Sequence, residues 1–140
     1  MIVVDAGVVL AIFIANARQA AVQGRFREWI AAGEERHAPA VMPYEVLNVL
    51  TREVWDGRVT TTEAEAVWAN LDALGITLHS FENAVDGPRS LAIAKLLRRR
   101  HATDCTYVSL AERLGGVVWT LDGSFARASS TAGLPVQLLA

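Results

Sequence analysis

Acidic residues stand at four predicted helix starts: Asp5, Glu45, Asp104 and Asp122. Carboxylates that a fold brings together repel one another and resist removal from water, so such a cluster needs a cation to offset its charge. Oxygen ligands without nearby histidine or cysteine favour Mg²⁺ or Mn²⁺ over zinc. Because these ions polarise phosphoryl oxygens and orient an in-line displacement, the four acids predict a divalent-metal site suited to cutting a phosphodiester.

The elements that position these acids alternate along the chain. Strands are predicted at residues 2–4, 38–42, 76–81, 117–120 and 136–139. Helices are predicted up to residue 15 and at residues 18–32, 44–55, 60–74, 89–100, 103–114 and 122–132. This alternation predicts an α/β fold: a central, mostly parallel sheet of about five short strands with helices on both faces, in one domain covering residues 1–140.

The sheet geometry explains why distant acids should meet. In a right-handed parallel unit, the helices run opposite to the strands, so the first turn of a helix lies at the carboxyl edge of the sheet. Asp5 and Asp122 leave their strands at that edge, and Glu45 lies in the first turn after its strand. The helix that Asp104 begins is about 16 Å long, close to the length of a five-residue strand, so its start returns to the same edge. Ligands of open parallel sheets bind there.

Each acid also has a purely structural interpretation. A carboxylate in the first turn of a helix contributes about 0.3–1 kcal/mol through helix-end electrostatics. Taken singly, Asp104 and Asp122 are better explained as helix caps than as ligands, Glu45 fits either interpretation, and Asp5 favours a functional one because it leaves an apolar strand. The four together favour a site, because capping does not require every cap to lie at one edge.

Composition is typical of a globular chain and does not select an activity. Hydrophobic residues make up 52% and charged residues 20% of the 140 residues. No apolar run is long enough to cross a bilayer, and residues 7–15 are interpreted as a buried helix rather than a signal peptide. The net charge is −2, so a nucleic-acid partner would have to be held by a local basic patch and a metal.

Cysteine and histidine point away from other chemistries. The single cysteine, Cys105, excludes an internal disulfide, fits a reducing cytoplasm and is interpreted as a small buried hydrophobic residue. The three histidines lie too far apart in sequence for a local zinc motif.

Four segments that contain the acids also resemble a known family. They are VVDAG at 3–7, PYEVLNVL at 43–50, TDCTYVSLAERLG at 103–115 and WTLDGSFARA at 119–128. In this order they resemble the PIN-domain ribonucleases, and most closely the toxins of VapBC-type toxin–antitoxin pairs. The resemblance spans nearly the whole chain. It implies that Asp5, Glu45, Asp104 and Asp122 form the acidic metal-binding and catalytic set.

The resemblance also implies supporting residues. Thr120 matches the hydroxyl residue often found two positions before the last acid, and Asn48 lies on the helical face of Glu45, where it either holds a water of the site or is an ordinary surface residue. Many relatives have a polar residue where this chain has Gly7, which removes one hydrogen bond to the site or leaves it to water.

Two further sets of cations lie near the predicted cleft. Arg52 and Arg127 are interpreted as contacts to substrate phosphate, with a solvent-facing position as the alternative. The run 98–101, Arg-Arg-Arg-His, is interpreted as a solvated helix end, with phosphate contact as the alternative.

The family implies a Mg²⁺- or Mn²⁺-dependent endoribonuclease that inhibits translation, acts as a homodimer, is neutralised by a cognate antitoxin, and has no membrane partner. Trp55 and Trp68 are candidates for the antitoxin or dimer surface, since tryptophan is enriched at interfaces. The competing hypothesis is a catalytically silent module of the same fold that binds protein or RNA. A phosphotransfer domain with Asp5 as nucleophile is a third, but the chain lacks the second aspartate of the haloacid-dehalogenase motif.

Overall fold

A computed structural model describes residues 1–139. The strands are β1 (Ile2–Val4), β2 (Arg36–Pro39), β3 (Ile76–His79), β4 (Val117–Thr120) and β5 (Val136–Leu138). The helices are α1 (Ala6–Phe13), α2 (Gln19–Ala31), α3 (Met42–Trp55), α4 (Thr61–Leu71), α5 (Asn83–Leu96), α6 (Thr103–Leu114) and α7 (Gly123–Thr131). A single 3-10 turn, Asp72–Leu74, extends α4.

The five strands form one sheet in the order β3-β2-β1-β4-β5, and every pairing is parallel. Helices lie on both faces, so the predicted α/β class is confirmed. The strand order reverses at β1, because β2 and β3 extend the sheet on one side while β4 and β5 extend it on the other. Asp5 and Asp122 follow β1 and β4, the two strands that meet at this switch point.

The core lies where β1 and the first helix are covered on all sides. Val3 and Val4 in β1 and Val8 and Val9 in α1 are fully buried. The apolar segment 7–15 is therefore largely a buried helix, as predicted. None of the helices within residues 1–139 combines the length and apolarity that a bilayer span requires.

The prediction of the second strand was displaced by two residues. The strand is β2, Arg36–Pro39, and α3 already begins at Met42, whereas the prediction placed the strand at 38–42. Neighbouring strands decide this register, because Arg36 pairs with Ile2 and Ile76 at once. A two-sided pairing of this kind outweighs the weak strand preference of charged residues.

The prediction of the fifth helix was wrong at both ends. Gly87-Pro88 lies inside α5 instead of starting it, and the helix ends at Leu96 instead of residue 100. At its beginning, the buried carboxylate of Asp86 accepts a local hydrogen bond from the N–H of Glu82 at 2.8 Å, and Arg113 from α6 holds the same carboxylate at 3.0 Å. Its end is fixed by Arg98, which takes a left-handed conformation with φ 54°.

Candidate active site

Asp5 begins the site at the end of the central strand. It is the N-cap of α1, and its Oδ1 accepts a hydrogen bond from the N–H of Val8 at 2.8 Å. The backbone N–H of Asp5 donates to the carbonyl of Trp119 in the neighbouring β4. One oxygen of the carboxylate is thus used as a helix cap, while the position of the residue is set by the sheet.

Asp122 reaches the same edge from β4 and is tied to Asp5 through Thr120. The Oδ1 of Asp122 caps α7 by accepting from the N–H of Phe125 at 2.9 Å, and the N–H of Asp122 donates to Oγ1 of Thr120 at 3.0 Å. Thr120 is fully buried, and its side chain also hydrogen-bonds Asp5. A hydroxyl at this position therefore supports both acids.

Glu45 comes from the first turn of α3 and is oriented by α6. Its Oε1 accepts a hydrogen bond from the hydroxyl of Tyr107 at 2.6 Å. Tyr107 is 1% exposed, so its hydroxyl supports Glu45 from the protein interior. Burial, together with the charge and hydrogen bond of Glu45, raises the pKa of Tyr107, so the phenol remains a donor.

Asp104 enters the cluster from the first turn of α6 and meets a cation. Its Oδ2 accepts from Nη1 of Arg99 at 3.0 Å. The Nη2 of the same guanidinium lies 3.6 Å from Oδ2 of Asp122. The run 98–101 is therefore not simply a solvated helix end: this interpretation is wrong for Arg99, which bridges two of the four acids.

In three of the four acids, the folded protein disfavours the ionised carboxylate and so raises the pKa. Burial raises the pKa of Asp5 from 3.8 to about 6; hydrogen bonds from Thr120 and Val8 lower it, while the charges of Asp104 and Glu45 raise it further. Burial and the charge of Asp104 also raise the pKa of Glu45, although the bond from Tyr107 opposes them.

Burial likewise raises the pKa of Asp104, with Arg99 opposing the rise and Asp122 adding to it. Each of the four acids interacts through its charge with at least one other acid in the set. The four carboxylates therefore lie near one another at one edge of the sheet. A cluster of this kind favours a divalent cation.

The donor chemistry fits a divalent cation, since the converging groups are carboxylates without a thiol or imidazole among them. Within residues 1–139, however, no group of three or more histidine, cysteine, aspartate or glutamate side chains is arranged so that it could hold a metal ion. Arg99 accounts for part of this, because it occupies one oxygen each of Asp104 and Asp122. Asp5, Glu45, Asp104 and Asp122 remain the predicted ligands of an ion at this edge of the sheet.

The remaining predicted residues lie around this cluster in different ways. Asn48 and Arg52 are exposed on α3, and neither donates a hydrogen bond to an acid within residues 1–139. Arg127 folds back over the start of α7, where its Nη1 lies 3.2 Å from the position that a Cβ would take on Gly123. Arg18 was not predicted, yet its Nη1 donates to the carbonyl of Leu121 at 2.7 Å, next to the last acid.

The predictions missed Tyr107 and Arg99, which contact the acids directly. Tyr107 lies among apolar residues of its helix in sequence, and such a pattern gives no sign of what the tyrosine hydroxyl will contact. One signal was available: Tyr107 lies three residues after Asp104, on the same helical face as an expected site residue. Arg99 has no comparable signal, since its direction depends on the conformation of Arg98.

We expect Tyr107→Phe to weaken Mn²⁺ binding about tenfold, the low end of what outer hydrogen-bond partners of metal ligands contribute. The variant keeps the shape of the ring but leaves Oε1 of Glu45 without its donor. Calorimetric titration with Mn²⁺ measures the change. Tyr44→Phe is the matched control, because Tyr44 is next to Glu45 but 68% exposed. Equal affinities of the two variants would show that the hydrogen bond does not orient Glu45.

We expect Gly7→Ser to be tolerated and to strengthen Mn²⁺ binding a few-fold. A Cβ at Gly7 would lie 3.4 Å from Oδ1 of Asp5, an ordinary contact distance, so the added hydroxyl would be close to the carboxylate. Replacing glycine within α1 should also stabilise the fold by about 0.5 kcal/mol. Gly7→Ala separates the two effects, since it adds the helix preference without the hydroxyl. Identical Mn²⁺ affinities of the serine and alanine variants, by calorimetry, would contradict the expectation.

Fold and acids together define a small α/β domain with a carboxylate cluster at the switch point of an all-parallel sheet. The family model of the PIN domain matches residues 2–130, and the chain belongs to this family.

Two curated relatives carry the name Ribonuclease VapC3. The protein from Pyrobaculum aerophilum is 28% identical over 132 residues, covering 89% of this chain and 92% of that relative. The protein from Mycobacterium tuberculosis is 34% identical over 96 residues, covering 69% of this chain and 66% of that relative.

Solved structures agree in fold. Mycobacterium tuberculosis VapC20, described as a sarcin-ricin loop cleaving toxin, superposes with a TM-score of 0.69 at 18% identity, covering 96% of both chains. A chain of a toxin–antitoxin complex from Klebsiella pneumoniae superposes with a TM-score of 0.63 at 12% identity, covering 90% of this chain and 91% of its own. At these identities the superpositions report the fold alone.

Proposed function

We propose that this chain is a divalent-metal-dependent endoribonuclease that cleaves RNA and inhibits translation as the toxin of a toxin–antitoxin pair. One observation carries the proposal: four acids from four separate elements meet beyond β1 and β4, and burial and mutual repulsion raise the pKa values of three of them. The names of the curated relatives support the same activity. Mg²⁺ is the proposed ion, with Mn²⁺ as a substitute.

The chain's own residues would prepare the site for cleavage. A bound divalent ion supplies polarisation of the scissile phosphate and orientation of the displacement. Asp5, Glu45 and Asp104 would hold that ion, while the hydroxyls of Thr120 and Tyr107 fix the directions of two of these carboxylates. These hydroxyls would limit the movement of Asp5 and Glu45. The carboxylates would still have to move closer together to bind an ion, because no three of them form a metal-holding group within residues 1–139.

RNA would be held by local cations, since the net charge of the chain is −2. Arg18 and Arg127 lie beside the start of α7, and Arg52 lies further along α3. Arginine suits this role because its planar donors match phosphate oxygens. The affinity for RNA should fall with salt concentration, and the slope of that dependence should reflect the small number of phosphate contacts.

A groove between α3 and α4 supports the proposed antitoxin partner. It measures about 460 Å³ and is lined by Leu47, Trp55 and Trp68, of which Trp55 is 88% exposed. An apolar groove of this kind suits the apolar face of a partner helix. The Klebsiella pneumoniae neighbour comes from a toxin–antitoxin complex, which supports a protein partner for this fold.

Two further parts of the proposal rest on the family rather than on a contact in the chain. We propose a homodimer, which light scattering of the purified protein tests. We also propose a cytoplasmic location, where RNA is available and where the free thiol of the buried Cys105 would stay reduced.

Cleavage assays test the activity. The purified protein should cleave structured RNA in the presence of Mg²⁺ or Mn²⁺ and stop on addition of a chelator. Asp5→Asn should remove cleavage while the protein stays folded, and Asp72→Asn, at an exposed acid away from the cluster, should retain it. Equal cleavage by the wild type and a folded Asp5→Asn variant would reject the mechanism.

The second candidate is a catalytically silent module that binds RNA or protein. The guanidinium of Arg99 favours it, because this group already offsets two of the acids without any metal. Calorimetry with Mn²⁺ distinguishes the candidates: a silent module would bind no ion and still associate with RNA or protein, whereas the nuclease requires an ion.

A further inference from the structure

Arg99 lies within the acidic cluster and bridges two of its members. Its Nη1 contacts Asp104 at 3.0 Å, and its Nη2 lies 3.6 Å from Asp122. The side chain of Arg99 is only 24% exposed, so water screens these contacts less than it screens an ordinary surface ion pair. One cation therefore serves the acid of α6 and the acid that caps α7.

The backbone directs Arg99 into this position. Arg98 has φ 54°, a conformation that a residue with a side chain seldom adopts. The N–H of Arg99 donates to the carbonyl of Ala94 at 2.8 Å, and the N–H of Arg98 donates to that of Lys95 at 3.2 Å. These bonds end α5 and turn the chain toward the start of α6. The placement of Arg99 is thus built into the end of a helix.

An aromatic ring holds the guanidinium from another side. The Cζ of Arg99 lies 4.6 Å from the ring centroid of Phe125, which is 3% exposed. A cation over an aromatic face gains a further attraction that strengthens when both groups are shielded from water. Contacts from α6 and α7 therefore fix the guanidinium next to the acids.

The contacts of the four acids divide the cluster into two halves. In Asp122, Oδ1 accepts from the N–H of Phe125 and Oδ2 lies near Arg99, while Oδ2 of Asp104 accepts a hydrogen bond from Arg99. Within residues 1–139, Oε2 of Glu45 and Oδ1 of Asp104 accept no hydrogen bond from the protein. The charges of Glu45 and Asp104 both act on Asp5, so these three carboxylates lie near one another.

Resting on the proposed function, we propose that Arg99 takes the place of a second divalent ion, so that the site binds one ion. Four clustered carboxylates could serve two ions, as two-metal phosphodiesterase sites do. Here an ion between Asp104 and Asp122 would have to displace the guanidinium, and the two cations repel each other. Arg99 is therefore a positioning residue: it supplies a fixed charge on one side and leaves the Asp5 side to the metal.

Counting bound Mn²⁺ tests this proposal without an activity assay. Calorimetric titration should give one ion per chain for the wild type and two for Arg99→Gln, which removes the charge. Arg99→Lys keeps the charge and should stay at one ion. Arg100→Gln is the matched control, because Arg100 is exposed and makes no ion pair within residues 1–139; it should also bind one ion.

Thermal unfolding gives a second, independent measurement. In chelator, Arg99→Gln should unfold at a lower temperature than the wild type, because the repulsion between Asp104 and Asp122 is no longer offset. Mn²⁺ should then raise the unfolding temperature of Arg99→Gln more than that of the wild type, since two ions bind instead of one.

The outcomes separate this inference from the proposed function. A count of two ions in the wild type, or an unchanged count in folded Arg99→Gln, overturns the role of Arg99 and leaves the nuclease proposal in place. The wild-type count decides even where the variant fails to fold. A wild type that binds no ion and cleaves no RNA overturns both.

Discussion

We expect Asp5→Asn to stabilise the metal-free protein at pH 7 by about 1–3 kcal/mol, even though it removes the proposed activity. The pKa of Asp5 in the folded protein is about 6, against an ordinary value of 3.8, so ionisation at neutral pH costs the folded state free energy. Asparagine removes the charge and still accepts the hydrogen bond from Val8, because it caps helices as well as aspartate does.

The difference in stability between the wild type and Asp5→Asn should depend on pH. A carboxyl group whose pKa is higher in the folded state binds its proton more tightly there, so the penalty is absent below about pH 4, grows up to about pH 6 and is complete above it. Urea unfolding in chelator should therefore show a large difference between the wild type and Asp5→Asn at pH 7 and a small one at pH 4. A variant less stable than the wild type at pH 7 would contradict this account.

Metal should reverse the order of stabilities. Under the proposed function, Mn²⁺ should bind the folded wild type and stabilise it, whereas Asp5→Asn lacks one proposed ligand and should gain little. Cleavage of RNA should fall by more than about a hundredfold, beyond what the loss of an outer partner of a ligand costs. Asp72→Asn, at an exposed acid, should change neither the stability nor the cleavage.

We expect Asp86→Ala to destabilise the protein by about 3–5 kcal/mol, the loss typical of breaking a buried ion pair. Asp86 is 3% exposed and accepts hydrogen bonds from Ser109 at 2.7 Å and from two nitrogens of Arg113 at 3.1 and 3.0 Å. Although burial works to raise the pKa of Asp86, these bonds and the N–H of Glu82 lower it below its ordinary value. Alanine would leave the guanidinium of Arg113 without this buried partner.

A second ion pair between the same helices provides the control. Arg89 and Glu112 also join α5 to α6, at 2.7 Å, but their side chains are 44% and 31% exposed. Breaking this pair with Arg89→Ala should cost only about 0.2–1 kcal/mol. Urea denaturation measures both losses. A carboxyl group whose pKa is lowered by folding stabilises the folded state at pH values above its ordinary pKa. The cost of Asp86→Ala should therefore shrink as the pH falls below about 4. Equal costs for Asp86→Ala and Arg89→Ala would contradict the buried role of Asp86.

The positions of the acids could be predicted from sequence because they depend on regular elements. Asp5, Asp104 and Asp122 each stand at or beside the first residue of a helix, and the alternation of strands and helices brings such starts to one edge. Roles as metal ligands remain a prediction. Short apolar strands such as 2–4 and 117–120 were also placed correctly, since β-branched runs between helices have few other interpretations.

The features that could not be predicted depend on contacts between distant segments. The start of α5 lies before Gly87-Pro88 because Asp86 is held by Arg113 from another helix, and sequence patterns near a Gly-Pro pair indicate a helix start instead. The bridge formed by Arg99 depends on the left-handed Arg98, a conformation that side-chain preferences argue against. Such residues adopt their positions only in the assembled fold.

The all-parallel sheet has a consequence for synthesis on the ribosome. A nascent chain that has emerged as far as Leu114 already carries Asp5, Glu45 and Asp104, but β4, the partner that positions Asp5 and supplies Asp122, is still missing. The cleft therefore cannot assemble before β4 and Asp122 have been synthesised. If the proposed nuclease activity resides in this cleft, it would begin only after β4 and Asp122 have left the exit tunnel.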